Sequence, residues 1–176
     1  MKIELIPFEN TPIHSVEILR NLGKHIDIVA GLYDDRFLEE RKCKAAHSYD
    51  KKLLFAIPVT HPLCGKAKIE LSDLKGKKVL LIRKNWNEYI DELRADLTAN
   101  GTEIEDFDMF NLNAFNRAAQ ENIPIITVEG WEDVHPLLRI VHADWEYRIP
   151  FGILYSPIPT KQVKDFIVAL QTISLQ

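Results

Sequence analysis

The residues best equipped for chemistry gather at helix starts. Arg83-Lys84-Asn85-Trp86-Asn87 follows an apolar run, Lys77 to Ile82, and precedes a helical stripe. It sets two cations, several amides and one aromatic plane at a single strand-to-helix junction. Such a set suits a carboxylate, because a guanidinium offers two parallel hydrogen bonds and an indole offers a flat apolar wall. Asn10-Thr11 opens another helix, where unpaired backbone N–H groups and the helix dipole attract anions. Asn111, Asn113, Val128 and Glu129 occupy later loops of the same kind. Arg83, Asn85, Trp86, Asn87, Asn10, Thr11 and these four are the candidate ligand contacts. Each also has a structural use: Thr11 before Pro12 is an N-cap pattern, and Trp86 fits a core position with Arg83 and Lys84 solvated. Trp131 and Trp145 read as packing residues.

Catalysis and metal binding find little support. The six histidines, 14, 25, 47, 61, 135 and 142, include no i, i+4 pair flanking a carboxylate. Cys43 and Cys64 form no Cys-x-x-Cys motif, so a zinc site is not expected. No Gly-x-Ser-x-Gly elbow and no glycine-rich phosphate loop occurs. Asp34, Asp35, Glu39 and Glu40, and then Glu103, Glu105, Asp106 and Asp108, read as solvated faces or loops. His61 precedes Pro62 and reads as a local backbone constraint. The expectation is no catalytic residue, no metal and no cofactor.

Composition narrows the class. The chain has 176 residues, of which 46% are hydrophobic and 27% charged, with a formal net charge of -4. That balance supports a packed core and argues against dominant disorder. An excess of acidic over basic residues argues against wrapping nucleic acid. No apolar run is long enough to span a bilayer. The opening MKIELIPFENTP carries Glu4 and Glu9 within its apolar stretch, unlike a secretory signal. Two cysteines without such a signal suggest free thiols in a reducing cytoplasm.

The elements that must position these residues alternate. Lys2 to Ile6 reads as a strand, and Thr11 caps a helix with Val16, Leu19 and Leu22 inward. His25 to Gly31 reads as a strand buried on both faces of a parallel sheet, completing a βαβ unit. Arg41 to His47 and Lys52 to Ile57 read as two strands, with a turn at Ser48-Tyr49-Asp50. Pro58 to Leu63 should be extended, because two prolines restrict it. A short helix at Ser72-Asp73-Leu74 and the strand to Ile82 follow. Asn87 caps a helix with Trp86, Ile90, Leu93 and Leu97 as its stripe. Glu103 to Phe110 is a strand, Asn113 opens a short helix, and Ile123 to Val128 is another strand. Trp131 to Leu137 is helical or a turn. Val141 to Tyr147 and Pro150 to Tyr155 are strands. Thr160 caps a last helix carrying Val163, Phe166, Ile167 and Leu170. The fold class is α/β, with two Rossmann-like lobes and a central cleft. Residues 1–59 with 151–176 form lobe I and 60–150 lobe II.

Certain segments carry a family resemblance. They are Gly23-x-x-Ile26-Asp27-Ile28-Val29-Ala30-Gly31, then Leu53 to Pro58, then His61-Pro62-Leu63. Ile69-x-Leu71-x-Asp73-Leu74-Lys75-Gly76 and the strand Val79 to Ile82 follow, and Pro150-Phe151-Gly152-Ile153-Leu154-Tyr155-Ser156-Pro157 closes the set. In this order they resemble the effector-binding domain of LysR-type bacterial transcriptional regulators. The resemblance implies a type II periplasmic-binding-protein-like fold and a regulatory domain that takes a small-molecule effector, an organic acid being the reading Arg83 favours. It also implies a homodimer or higher oligomer, no membrane association and a cytoplasmic location. DNA contact is expected only through a region absent from this chain, because the family's winged helix-turn-helix and linker helix have no counterpart here. The domain's usual first strand and helix also have none, and Glu121 to Val128 replaces the family's GLGIALLP-type segment. Three other readings remain open: a stand-alone two-lobed solute-binding protein, an enzyme on this fold, and a degenerate interaction module with its cleft filled by Trp86 and Phe151.

Overall fold

The structure is a computed structural model that describes residues 4–7, 11–131 and 133–173. The elements, in order, are α1 (Pro12–Arg20), β1 (Ile28–Leu32), α2 (Asp35–Arg41), β2 (Lys44–Pro58), β3 (Lys68–Ile69), β4 (Lys78–Ile82) and α3 (Glu88–Ala99). Next come β5 (Glu103–Phe107), α4 (Leu112–Glu121), β6 (Ile125–Val128), β7 (Leu138–Ala143), β8 (Arg148–Tyr155) and α5 (Lys161–Ile173). The chain divides into two compact units, residues 1–50 with 150–176 and residues 51–149. It passes from one to the other along β2 and returns along β8.

In the first unit, α1 starts where Thr11 Oγ accepts from the His14 N–H at 3.3 Å. The Leu19 and Leu22 side chains pack with Cys43 and Leu154 on one face of a small sheet, joined by Phe37 and Leu38 of α2. Val163 and Ile167 of α5 pack with Ala46, Ile28, Ile153 and Tyr155. The sheet order is β1, β8, β2, and β1 pairs antiparallel with β8 from Ile28↔Tyr155 to Leu32↔Phe151. Gly152 lets β8 approach β2, because a Cβ there would lie 2.2 Å from the Ala46 carbonyl oxygen.

Several expectations fail in this unit. Glu4 to Pro7 form no strand and Leu5 is 90% exposed, while Lys2 and Ile3 lie outside the described residues. The run at Ile28–Leu32 is neither parallel nor buried on both faces: it ends the strand order and is only half-buried. The βαβ unit therefore does not form. Arg41 ends a helix instead of opening a strand. Asp34, only 2% exposed, caps that helix by accepting from the Phe37 N–H at 2.6 Å, and Lys42 leaves it in the left-handed region at φ 53°. Ser48-Tyr49-Asp50 is no turn; β2 runs straight through it, because polar residues are tolerated where one strand face meets solvent.

The second unit holds the larger core. Its strand order is β2, β6, β4, β5, and β4 runs parallel to both β5 and β6. Val79 through Ile82 are fully buried, as are Phe55, Ala56 and Ile57 of β2. Phe55 packs on Trp145 at 5.0 Å between ring centres, Trp145 on Tyr147, and the Tyr147 hydroxyl donates to Asp96 of α3. Helix α3 thus covers the Phe55 face. Leu54, Thr127, Ile82 and Phe107 lie abreast on the opposite face, since Leu54 pairs with Thr127, Leu80 with Ile125 and Ile82 with Phe107. The segment after Pro58 is not fully extended: Pro62–Gly65 is a 3₁₀ turn, capped by His61 Nδ1 accepting from the Leu63 N–H at 3.2 Å. That local bond is the use the sequence suggested for His61. Asn111 caps α4, not Asn113. The fifth strand ends at Phe107, the seventh spans 138–143, and residues 133–137 take the turn alternative expected there.

Candidate functional site

Strand β4 is where the second unit's chain order reverses. From β4 the chain crosses to β5 on one side, then returns past β4 to β6 on the other. Helices α3 and α4 follow these strands, so the loops at the carboxyl ends of β4, β5 and β6 diverge, and that end is the usual ligand position in open α/β sheets. Residues 83–87, 108–111 and 129–131 form those loops.

Most of the sequence-predicted polar contacts there are already engaged. Asn87 is 2% exposed and its Oδ1 accepts from the Tyr89 N–H at 3.1 Å. Asn111 Oδ1 accepts from the Ala114 N–H at 3.1 Å. Both cap helices, satisfying donors that would otherwise be orphaned. Asn113 is exposed in the first turn of α4, and Val128 is buried in β6 opposite Leu53. Glu129 is bound to β2: its N–H donates to the Lys52 carbonyl at 3.0 Å and its carbonyl accepts from Lys51 Nζ at 2.8 Å. Thr11 belongs to the other unit and Asn10 lies outside the described residues.

Three residues keep unengaged chemistry. Arg83 and Lys84 are exposed, and neither forms an ion pair among the described residues. Asn85 follows them in the left-handed region, with φ at 65° and its N–H donating to both Asp91 carboxylate oxygens at 3.0 and 3.2 Å. Trp86 is half-buried and meets Phe110 edge-on at 5.6 Å. Phe110 also contacts Phe107 at 5.2 Å and Trp131 at 6.0 Å, and Trp131 stacks on Phe115 at 5.5 Å. Five aromatic rings therefore pack together beside these loops, with Phe107, Phe110 and Phe115 buried and two cations on the neighbouring loop. The sequence reading took Trp131 as packing and did not connect it to Trp86. The link runs through Phe110, which it placed in a strand.

A network of charges in this unit serves its edge. Lys78 meets Glu103 at 3.5 Å and also Glu105, while Arg117 meets Glu105 and, at 3.0 Å, Glu121. Lys78 and Arg117 hold the Glu105 carboxyl below its ordinary range. This network runs along β5, the last strand in the order, where charge discourages further strand pairing. Among the described residues no group of three or more His, Cys, Asp or Glu could hold a metal ion.

The sequence matches no protein-family model and no curated protein. Solved structures do match. CbnR, a LysR family transcriptional regulator, superposes with a TM-score of 0.70 and 13% identity, over 94% of this chain and 57% of that one. The effector-binding domain of QuiR, in complex with shikimate, gives 0.68 and 13%, over 96% and 78%. An ancestral arginine-binding protein bound to arginine gives 0.64 and 16%, over 99% and 76%. The fold is therefore that of type II periplasmic-binding-protein-like domains. More narrowly, it is the fold of LysR-type effector-binding domains, as the segments from Gly23 to Pro157 had suggested.

Proposed function

We propose that this chain is the regulatory effector-binding domain of a LysR-type transcriptional regulator and takes a small organic acid at the carboxyl ends of β4, β5 and β6. The observation that carries this reading is a loop with two exposed cations, Arg83 and Lys84, that also carries the half-buried Trp86, on a fold shared with a shikimate-bound effector domain. A carboxylate would meet the Arg83 fork and the acid's body would lie against the rings. Lobes divided at residues 59–60 and 150–151 belong to this proposal. So do contacts from Asn10, Thr11, Asn85, Asn87, Asn111, Asn113, Val128 and Glu129.

The role is binding, not catalysis, and needs no cofactor. Ligand would favour one arrangement of a homodimer or higher oligomer, and that differential affinity is the regulatory signal. DNA contact would fall to a segment outside this chain, and the setting is the cytoplasm. No helix among the described residues is long and apolar enough to cross a membrane.

Isothermal calorimetry with a panel of carboxylates, namely shikimate, benzoate and arginine, tests the reading. Micromolar binding that vanishes in Arg83→Gln/Lys84→Gln supports it; no heat from any acid sinks it. The likeness to an arginine-binding protein favours a second reading, a stand-alone solute-binding protein. Tight binding of arginine alone, by a chain that forms no oligomer, would select it.

A further inference from the structure

Two side chains of α3 hold the cationic loop from both ends. Arg94, whose side chain is 14% exposed, donates from Nη2 to the Ile82 carbonyl at 2.5 Å and meets Asp106 Oδ1 at 2.8 Å. It thereby ties the last residue of β4 to β5. Asp91 precedes Arg94 by three positions and so lies on the same side of the helix. Its carboxylate oxygens accept from the Asn85 N–H at 3.0 and 3.2 Å. Between these two anchors lie only Arg83 and Lys84. The Arg83 N–H adds a third tie, donating to the Phe107 carbonyl at 2.8 Å. The backbone carrying the two cations is therefore fixed, while both side chains stay exposed.

The Asp91 anchor works against strain and against charge. Asn85 sits at φ 65°, where a residue other than glycine is strained, and such a conformation persists only where neighbouring contacts hold it. The Asp91 carboxylate also stands one peptide from Lys84, where its negative charge opposes an incoming anion. Its charge thus disfavours anion binding while its hydrogen bonds order the loop, so the two effects differ in sign.

Resting on the organic-acid reading above, we infer that Asp91 is a positioning residue for the anion contact. It holds Asn85 in its strained turn, so that Arg83 and Lys84 meet the acid on a loop already ordered. Ordering a loop on binding costs affinity, and an anchored loop avoids that cost. Asp91 itself touches no ligand.

The experiment measures binding of shikimate, benzoate and arginine by calorimetry, on the wild-type chain, Asp91→Ala and Asp91→Asn. The first variant removes charge and acceptor together. The second removes the charge and keeps an acceptor for the Asn85 N–H. Positioning predicts that Asp91→Ala weakens binding about fivefold, while Asp91→Asn binds at least as tightly as wild type. A role through charge alone predicts tighter binding by both. Asp91 lies in the first turn of α3, where its charge favours the helix dipole, so both variants lose that contribution and Asp91→Asn controls for it. Amide hydrogen exchange reads the anchor without ligand: the Asn85 N–H is protected in wild type and in Asp91→Asn, and exchanges freely in Asp91→Ala. Unchanged or tighter binding by Asp91→Ala overturns the inference and leaves the organic-acid reading standing. Equal weakening in both variants, or an Asn85 amide that exchanges freely in wild type, does the same. If none of the three compounds binds the wild-type chain, both fall.

Discussion

Strands β1 and β4 are equally short and largely apolar, and live in different surroundings. Ile28-Val29-Ala30-Gly31-Leu32 and Lys78-Val79-Leu80-Leu81-Ile82 are both five-residue strands, apolar throughout apart from Lys78. The first ends its strand order, pairs antiparallel and leaves Ala30 exposed. The second sits between two parallel neighbours, with four residues fully buried. A run of apolar residues states that a strand can form. How much of it is buried depends on what flanks it, and helices α3 and α4 cover both faces of β4. The contrast also bears on function, because the strand with two parallel neighbours is the one at which the chain order reverses, where open α/β sheets usually take ligands.

Perturbing the two sheets separately would sharpen this contrast. The largest effect is expected at Gly152. A Val there would drive its Cβ against the Ala46 carbonyl, where only 2.2 Å is available. Main chain cannot yield as a flexible side chain can, so Gly152→Val should cost about 4 kcal/mol, read by urea unfolding. An unchanged midpoint would mean that β8 and β2 are farther apart than described.

Next come paired truncations of the two strands. Leu81→Ala empties a fully buried site and should cost about 3 kcal/mol. Val29→Ala, on the half-buried β1, should cost about 1 kcal/mol. Equal losses in the two variants would erase the proposed difference in burial.

Arg83→Gln/Lys84→Gln should leave the unfolding midpoint in place, because both side chains are exposed and without ion pairs among the described residues. Carboxylate affinity should fall at least about tenfold. A stability loss with unchanged affinity would reverse the roles assigned to these residues.

The smallest effect is a titration. Burial, then the hydrogen bond to Asp96, with the charges of Asp96 and Glu92, pushes the Tyr147 hydroxyl up to about 12. The folded state therefore favours protonated tyrosine. Its contribution to stability is complete below the ordinary value of 10.0 and is lost as pH rises from there to about 12. Ultraviolet titration should show one late tyrosine, and Asp96→Asn should bring it back toward the others. A wild-type chain in which every tyrosine titrates together would show that the hydroxyl does not face Asp96.

Local signals were the most legible. Thr11, Asn87 and Thr160 each cap the helix expected of them, since a cap needs only one oxygen and the next few N–H groups. The Ile90, Leu93 and Leu97 stripe is buried as its period required. Asp34 and Asn111 were open to the same argument and went unused. The site was only half legible. The cationic loop after β4 could be read from residue types, but the caps at Asn87 and Asn111 competed with ligand contact for the same atoms.

By itself, the sequence determined the helices that Thr11, Asn87 and Thr160 cap, most of the strands and that the chain is α/β, because side-chain period and capping chemistry act over a few residues; it did not reveal α2. Tertiary structure alone decided that β1 is antiparallel and half-buried, and that β2 runs unbroken from Lys44 to Pro58. It alone brought Trp86, Phe110, Trp131 and Phe115 together and left the Thr127 hydroxyl without a partner among the described residues. These depend on pairings between residues tens of positions apart, and no local preference encodes which strand will lie beside which.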